Sequence, residues 1–483
     1  MSRRAGVRLG KGSPLRLNAP KVSMSTFIGV WLMGRVAAGV GYVIRHRALT
    51  GLVLLVVVMW RIPSVRVVVG VLALVGAAAL VVWRVRWPEA FARGVPQRAH
   101  GAWRAARIYR SRWSDAMLAG RLSVQHDGAH YLPRLDRVRV AGDVDLVNVR
   151  MLPGQTAELW TAASDGLAQT FGVVGCRVRT VPGRPHDLIL WMLVRDPLVE
   201  EVVPFDLSDD GDLSALPVAL GEDGSISRLR LLGGHVLIVG ATGSGKGSVI
   251  WSILAALAPA IGSGLVRVVA LDPKGGVELA LGRQLLSRFV YGDPGSGYAY
   301  EAEFAQVLEE QVEVMRRRQR VLRGVARLHT PTSAEPLIVV VIDELASLTS
   351  YLVDKDAKRR IAAALALLLS QGRAAGVSVI GSVQDPREIA DLRDLFTTRV
   401  GLRMTDAAQV ALVFGPGAHD RGVRCEQIPE NLPGVGYVAL EGVREPVRVR
   451  FTHVQDTDLV LLADRANRFS AGRPPPPSWT VTG

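Results

Sequence analysis

Cysteine is almost missing from this 483-residue chain, which has only Cys176 and Cys425. Two thiols cannot build a disulfide framework or a cysteine-rich zinc site. Both read as ordinary buried thiols rather than catalytic ones. Aromatic residues are few, at 6%. Acid is scarce relative to base: 44 Asp and Glu stand against 58 Lys and Arg, a formal net charge of +14. That surplus implies a polyanionic partner, nucleic acid or anionic lipid, and does not by itself choose between them.

Residues 1–24 are basic and rich in Gly, Ser and Pro, as in a disordered cytoplasmic arm. Residues 25–86 are predominantly apolar and predict a membrane region of two or three short helices. The stretch 27–44 is interrupted by Arg35, whereas 48–60 and 67–83 are uncharged. A span needs about 20 residues, so each piece is short unless flanking arginines snorkel. Arg61-Ile62-Pro63-Ser64-Val65-Arg66 reads as a tight turn between spans, with Trp60 and Trp83 at interfacial positions. Nine Lys or Arg lie in 1–47 and eight in 84–112, against two in the turn. The positive-inside rule then places both flanks in the cytoplasm, the location expected for the rest of this multi-pass cell-membrane protein. A basic linker, 87–137, follows. Its Trp103, Arg104, Arg107, Tyr109, Arg110, Arg112 and Trp113 suit anionic headgroups, and DNA contact is the sharper alternative.

From 138 to 215 strand-like alternation at 138–149, helical spacing at 157–171 and strand-like runs at 176–181 and 188–194 predict a small α/β module. No cluster of His, Cys or carboxylates stands out in it. Residues 206–212 read as an acidic linker, and 216–221 leads into the largest domain, 216–469.

That domain is organised around Gly240-Ala241-Thr242-Gly243-Ser244-Gly245-Lys246, preceded by His235-Val236-Leu237-Ile238-Val239 and followed by the apolar run 249–258. Strand, Gly-rich turn and helix form the context of a phosphate-binding P-loop. Its glycines turn backbone N–H groups toward one point, and the helix N-terminus adds its dipole. ATP is the implied ligand, with Lys246 on the outer phosphates. The next residue is ordinarily Ser or Thr, whose hydroxyl holds Mg²⁺. Here it is Gly247, and Ser248 lies about a quarter turn further on.

The run 337–342 is a continuous apolar strand ending in Asp343-Glu344. Asp343 would hold Mg²⁺ through water, and Glu344 would activate the attacking water. Another buried strand, 377–383, ends in Gln384, a candidate γ-phosphate sensor. With 265–271 ending at Asp272-Pro273-Lys274, the order of strands and helices predicts a parallel sheet covered on both faces. A long helix is expected over 300–328, with Arg316, Arg317, Arg318 and Arg320 on a solvated face. Closing strands are expected at 435–440 and 446–452, and a flexible tail at 470–483.

In order along the chain, segments 216–221, 235–246, 271–274, 315–322, 340–345, 372–376, 383–386 and 445–449 resemble the FtsK/SpoIIIE family of membrane-anchored DNA translocases. The resemblance implies a RecA-like motor that forms a hexameric ring around double-stranded DNA. It also implies an arginine that reaches the neighbouring subunit's ATP. Arg373 is the candidate for it, with Arg399 behind. The short membrane region and the brief segment after the last strand are more similar to conjugative transfer proteins of actinomycete plasmids and integrative elements. Two other functions share these motifs: a type VII-like secretion ATPase, and a DNA tether in which Gly247 has abolished hydrolysis.

Overall fold

Proline at the first helical position begins helix α1 (Pro63–Arg86), because its ring presets φ where no intrahelical N–H partner is lost. The tight turn expected over 61–66 is thereby corrected, since Pro63 to Arg66 are helical. The computed structural model describes residues 63–86, 101–126, 129–205, 212–293, 295, 297–443, 445–459 and 462. The chain falls into two compact units, Met1–Gly94 and Val95–Gly483. The spans expected at 27–44 and 48–60 lie outside the described residues, as does the tail 470–483. The uncharged run in α1 is 67–83, a few residues short of the roughly 20 that a span needs. Among the described residues no helix is long and apolar enough to cross a membrane.

In the second unit, Gly101 onward is helical, through a π-helical stretch (Ala105–Arg110) into α2 (Ser111–Ala119). A short hairpin follows, β1 (Val124–His126) with β2 (Ala129–Tyr131). Strands β3 (Arg134–Ala141), β4 (Val144–Arg150), β5 (Gly175–Val181) and β6 (Arg184–Leu193) form an antiparallel sheet in the order β3-β4-β6-β5. Helices α3 (Ala157–Ala162) and α4 (Ser164–Phe171) occupy the helical stretch expected over 157–171. The headgroup-binding expectation for the basic aromatic stretch is overturned at its centre. Tyr109 and Trp113 are buried, in one core with Trp160, Leu167, Phe171 and Leu190. Tyr109 Oη and Arg104 Nε both donate to Asp145 Oδ2, at 2.7 and 2.6 Å. The π-helical turn points these side chains at the sheet, so residues counted as linker are part of the module.

The large sheet has ten strands: β7 (Leu216–Gly221), β8 (Ile226–Leu229), β9 (Val236–Val239), β10 (Val266–Asp272), β11 (Arg288–Tyr291), β12 (Leu337–Ile342), β13 (Val377–Val383), β14 (Thr398–Gly401), β15 (Val435–Ala439) and β16 (Val447–Phe451). Their order is β11-β10-β12-β13-β9-β14-β15-β16-β7-β8. The strands from β11 to β14 run parallel, and every pairing from β14–β15 to β7–β8 is antiparallel. The sheet is therefore mixed, which corrects the all-parallel expectation. Residues 222–225 join β7 to β8 and residues 440–446 join β15 to β16, too little chain in either case for the crossover that parallel neighbours need.

Helix α5 (Lys246–Gly262) covers one face of the sheet. Helices α6 (Ala299–Leu322), α7 (Leu345–Thr349), α8 (Lys355–Gln371) and α9 (Ala407–Phe414) pack against the other. Val236 and Ile238 face the α5 side while Leu237 and Val239 face the α6 side, so β9 must be apolar throughout. Helix α6 stops at Leu322, short of the expected 328, because Arg323 leaves helical geometry and Gly324 takes φ +77°. The module is tied to the sheet by Arg448, which makes a bidentate pair with Asp196 at 3.0 and 2.8 Å, and by Arg179 with Glu445 at 2.6 Å.

Candidate functional site

Parallel pairing aligns the carboxyl ends of the central strands. Leu271 pairs with Ile342, Ile342 with Gly381, and Val383 with Val239. Asp272, Asp343, Gln384 and the turn from Gly240 to Lys246 therefore emerge along one edge. Gly240 N donates to Val383 O at 3.2 Å, and Ala241 N to Arg403 O at 2.9 Å, which anchors the turn between β13 and the segment after β14. Gly245 has φ +94°, and a Cβ there would collide with Gly434 N. Only glycine meets both the left-handed conformation and the close approach of the 433–434 turn. Arg403 Nη2 braces the loop through Thr242 O at 2.9 Å.

Lys246 Nζ donates to Gly240 O and Ala241 O at 2.8 and 3.3 Å. Loss of water around the ammonium lowers its pKa, and the nearby Lys274 charge adds to this, against Glu344, Asp343 and Glu278. Asp343 and Glu344 are both buried. Lys274 Nζ lies 3.0 Å from Glu344 Oε2 and 3.6 Å from Asp343 Oδ2. Desolvation opposes the charge on Lys274, but the two carboxylates outweigh it and raise its pKa. Glu344 Oε1 accepts from Gln384 N at 3.3 Å, and Thr242 Oγ1 donates to Gln384 Oε1 at 3.1 Å. The tip of β13 thus touches both the carboxylate and the P-loop. Asp343 is held from behind, its N–H bonded to Leu271 O at 3.1 Å and its carbonyl accepting from Ser382 Oγ.

The structure brings together Lys246, Asp343, Glu344 and Gln384 beside residues 240–248. It does not bring Arg373 or Arg399 there. Arg373 Nε donates to Gly233 O at 2.9 Å, and its Nη2 pairs with Glu441 at 2.7 Å. Gly233 precedes β9 and Gly240 follows it, so Arg373 lies at the amino ends of the strands, roughly 20 Å from the loop at ~3.3 Å per residue. Arg399 donates to Val413 O at 3.1 Å and lies 3.7 Å from Asp394.

Sequence reasoning passed over Lys274, Asp272 and Glu278 as site residues. Asp272 is fully buried, and desolvation raises its carboxyl pKa. Its Oδ1 accepts from Lys274 N at 2.9 Å, while its Oδ2 has no hydrogen-bond partner. The Glu278 carboxyl is raised by desolvation first and then by Asp343 and Asp272. The available signal was Asp272-Pro273-Lys274 at a strand end, the same kind of position that singled out Asp343. A phosphate and its hard cation suit this arrangement: a glycine-dependent turn at a helix N-terminus, a lysine, and a buried carboxylate oxygen left unpaired.

Residues 208–413 match the FtsK/SpoIIIE family. Over this segment the chain is similar to that family, as the ordered motifs implied. The transfer protein TraSA of Streptomyces ambofaciens is 28% identical over 357 residues, which cover 69% of this chain and 82% of that protein. The DNA translocase FtsK of Streptococcus pyogenes serotype M3 (strain SSI-1) is 25% identical over 329 residues, 59% of this chain and 39% of its own length. The match thus spans well under half of that translocase. Among solved structures, the monomer form of the pCW3 conjugation coupling protein TcpA with ATPγS covers 74% of this chain and 99% of its own, with 19% identity and a TM-score of 0.46. That superposition is too loose to bear on function.

Proposed function

We propose that this protein is a membrane-anchored, ATP-driven translocase of double-stranded DNA that serves conjugal transfer of a plasmid or integrative element. The observation that carries the reading is the convergence of Lys246, Asp343, Glu344 and Gln384 on one sheet edge within the segment that matches the FtsK/SpoIIIE family. The net charge of +14 supports a polyanionic substrate gripped through its phosphates. The name and the 82% coverage of TraSA support transfer over chromosome segregation.

In the cycle, Lys246 leaves the P-loop carbonyls and engages the outer phosphates of ATP. Asp343 would hold Mg²⁺ through water, and the ion would supply neutralisation of phosphate charge. Glu344 takes the proton of the attacking water, which requires Lys274 to release it. Gln384 bonds both Glu344 and Thr242, so a change at the γ-phosphate reaches β13 directly. Arg373 lies away from its own site, and an arginine that serves a neighbour's nucleotide in a hexameric ring has to do so. For this its pair with Glu441 must open.

Membrane anchoring rests on the sequence of 25–86: uncharged runs at 48–60 and 67–83, tryptophans at their ends, and arginine-rich flanks.

The deciding experiment is the ATPase rate of the full-length protein with and without duplex DNA, with Lys246→Ala as the control. Duplex DNA should stimulate turnover severalfold, and Lys246→Ala should abolish both turnover and transfer. Stimulation by peptides but not by DNA would make it a protein-secretion motor, and ATP binding without turnover would make it a tether.

A further inference from the structure

Gly247 stands where a P-loop carries the hydroxyl residue that binds the nucleotide's magnesium ion. The space is filled from elsewhere in the fold. A Cβ on Gly247 would collide with Glu278 Oε1 and lie 2.8 Å from Glu278 Cδ. The carboxylate of Glu278 therefore occupies the volume that a serine or threonine side chain would take. Ser248, one place on, has its Cβ 3.8 Å from where a Cβ on Gly434 would lie. Glu278 follows Gly275 and Gly276, both with positive φ, in the turn that leaves Asp272-Pro273-Lys274. That turn carries its carboxylate back over the start of α5. There it interacts with the charges of Asp343, Asp272, Lys274 and Lys246. Of these, Asp272 is fully buried and its Oδ2 has no hydrogen-bond partner.

We propose that Glu278 is the protein ligand that replaces the missing P-loop hydroxyl on the magnesium ion of bound ATP, with Asp343 as the ligand acting through water. Gly247 is then the residue that makes room for it. Magnesium takes hard oxygen donors, and in nucleotide sites it is held by one or two carboxylates completed by phosphates and water. A carboxylate in this place also has a consequence that a hydroxyl lacks. Its charge repels the phosphates until the cation arrives, so nucleotide binding becomes more strongly metal-dependent.

This inference rests on the ATPase reading, and the experiment separates the two. The affinity of the full-length protein for ATPγS is measured with Mg²⁺ and with EDTA, and Mn²⁺ bound in the presence of ATPγS is followed by electron paramagnetic resonance. Mg²⁺ should tighten ATPγS in the native protein. Glu278→Gln should lose about tenfold of that tightening and release Mn²⁺ at correspondingly lower occupancy. Gly247→Ser combined with Glu278→Ala should restore both, because the hydroxyl returns as the carboxylate leaves. If Glu278→Gln keeps the full Mg²⁺ effect, Glu278 is not a ligand. If that variant instead binds ATPγS more tightly in EDTA and keeps the native ratio, Glu278 is only a plug over the helix N-terminus, and the proposal falls. If the native protein binds no ATPγS under either condition, the ATPase reading fails first and takes this one with it.

Discussion

Glu344 is held on one oxygen by Lys274 at 3.0 Å and on the other by the backbone N–H of Gln384 at 3.3 Å. Replacing it with Gln leaves one oxygen to accept from these two donors and removes the basic oxygen pair. Glu344→Gln should bind ATP with near-native affinity and lower turnover by about 100-fold or more, as loss of a general base does. Single-turnover hydrolysis at the native rate would remove that role. His235 makes a different prediction. It is fully buried, and its Nδ1 accepts from Val379 N at 3.0 Å. Burial, and then the Arg373 charge, push its pKa down from 6.5 to about 4. The unfolded chain therefore binds a proton that the folded chain refuses. The stability contributed by neutral His235 is intact above pH 6.5 and is lost as pH falls toward about 4. The total is of the order of 3 kcal/mol at ~1.4 kcal/mol per pKa unit. Denaturant unfolding across that range should show the loss, and His235→Gln should flatten it.

At the scale of elements, α6 is more than a solvated rod. Its arginines at 316 to 320 invite reading as one exposed face, yet Arg318 is 4% exposed. Its guanidinium donates to Ala375 O, Gly376 O and Pro336 O at 3.1, 3.0 and 2.6 Å, and Nε pairs with Glu335 at 2.9 Å. It therefore closes the amino ends of β12 and β13, where Gly376 O also accepts from Ile338 N at 3.0 Å. Arg318→Met should cost about 3 kcal/mol by removing the donors to Ala375 O and Pro336 O and the partner of Glu335, whereas Arg316→Met, exposed and paired with Glu313, should cost under about 1 kcal/mol. Thermal unfolding of the two variants makes the comparison. The difference was invisible in the sequence because helical spacing assigns a face but not what that face meets. Strands were more legible: the run 337–342 and the run 377–383 are strands with the expected bounds. Burial on both sides demands continuous apolarity, and continuous apolarity is readable.

For the molecule as a whole, the charge surplus sets the expected grip on DNA. The logarithm of the binding constant for duplex should fall linearly with the logarithm of salt concentration, with a slope of about 0.9 per phosphate neutralised. A salt-independent affinity would exclude a backbone grip. The parts of the site that the sequence revealed are local ones: the glycine-rich turn, Lys246, and the acids and amide at strand tips. These follow from chemistry confined to a few consecutive residues. The mixed sheet was not legible, because the direction of β15, β16, β7 and β8 depends on which strands they meet. Nor was the burial of Tyr109 and Trp113, which looked membrane-facing until the sheet they pack on was in place. The sequence alone determined that a phosphate-binding turn and a strand ending in Asp343-Glu344 exist, and that position 247 has no side chain. Only the tertiary structure decided that Glu278 fills that position and that Lys274 holds Glu344. Contacts between residues tens of positions apart depend on chain reversals and strand order, and no periodicity along the chain encodes them.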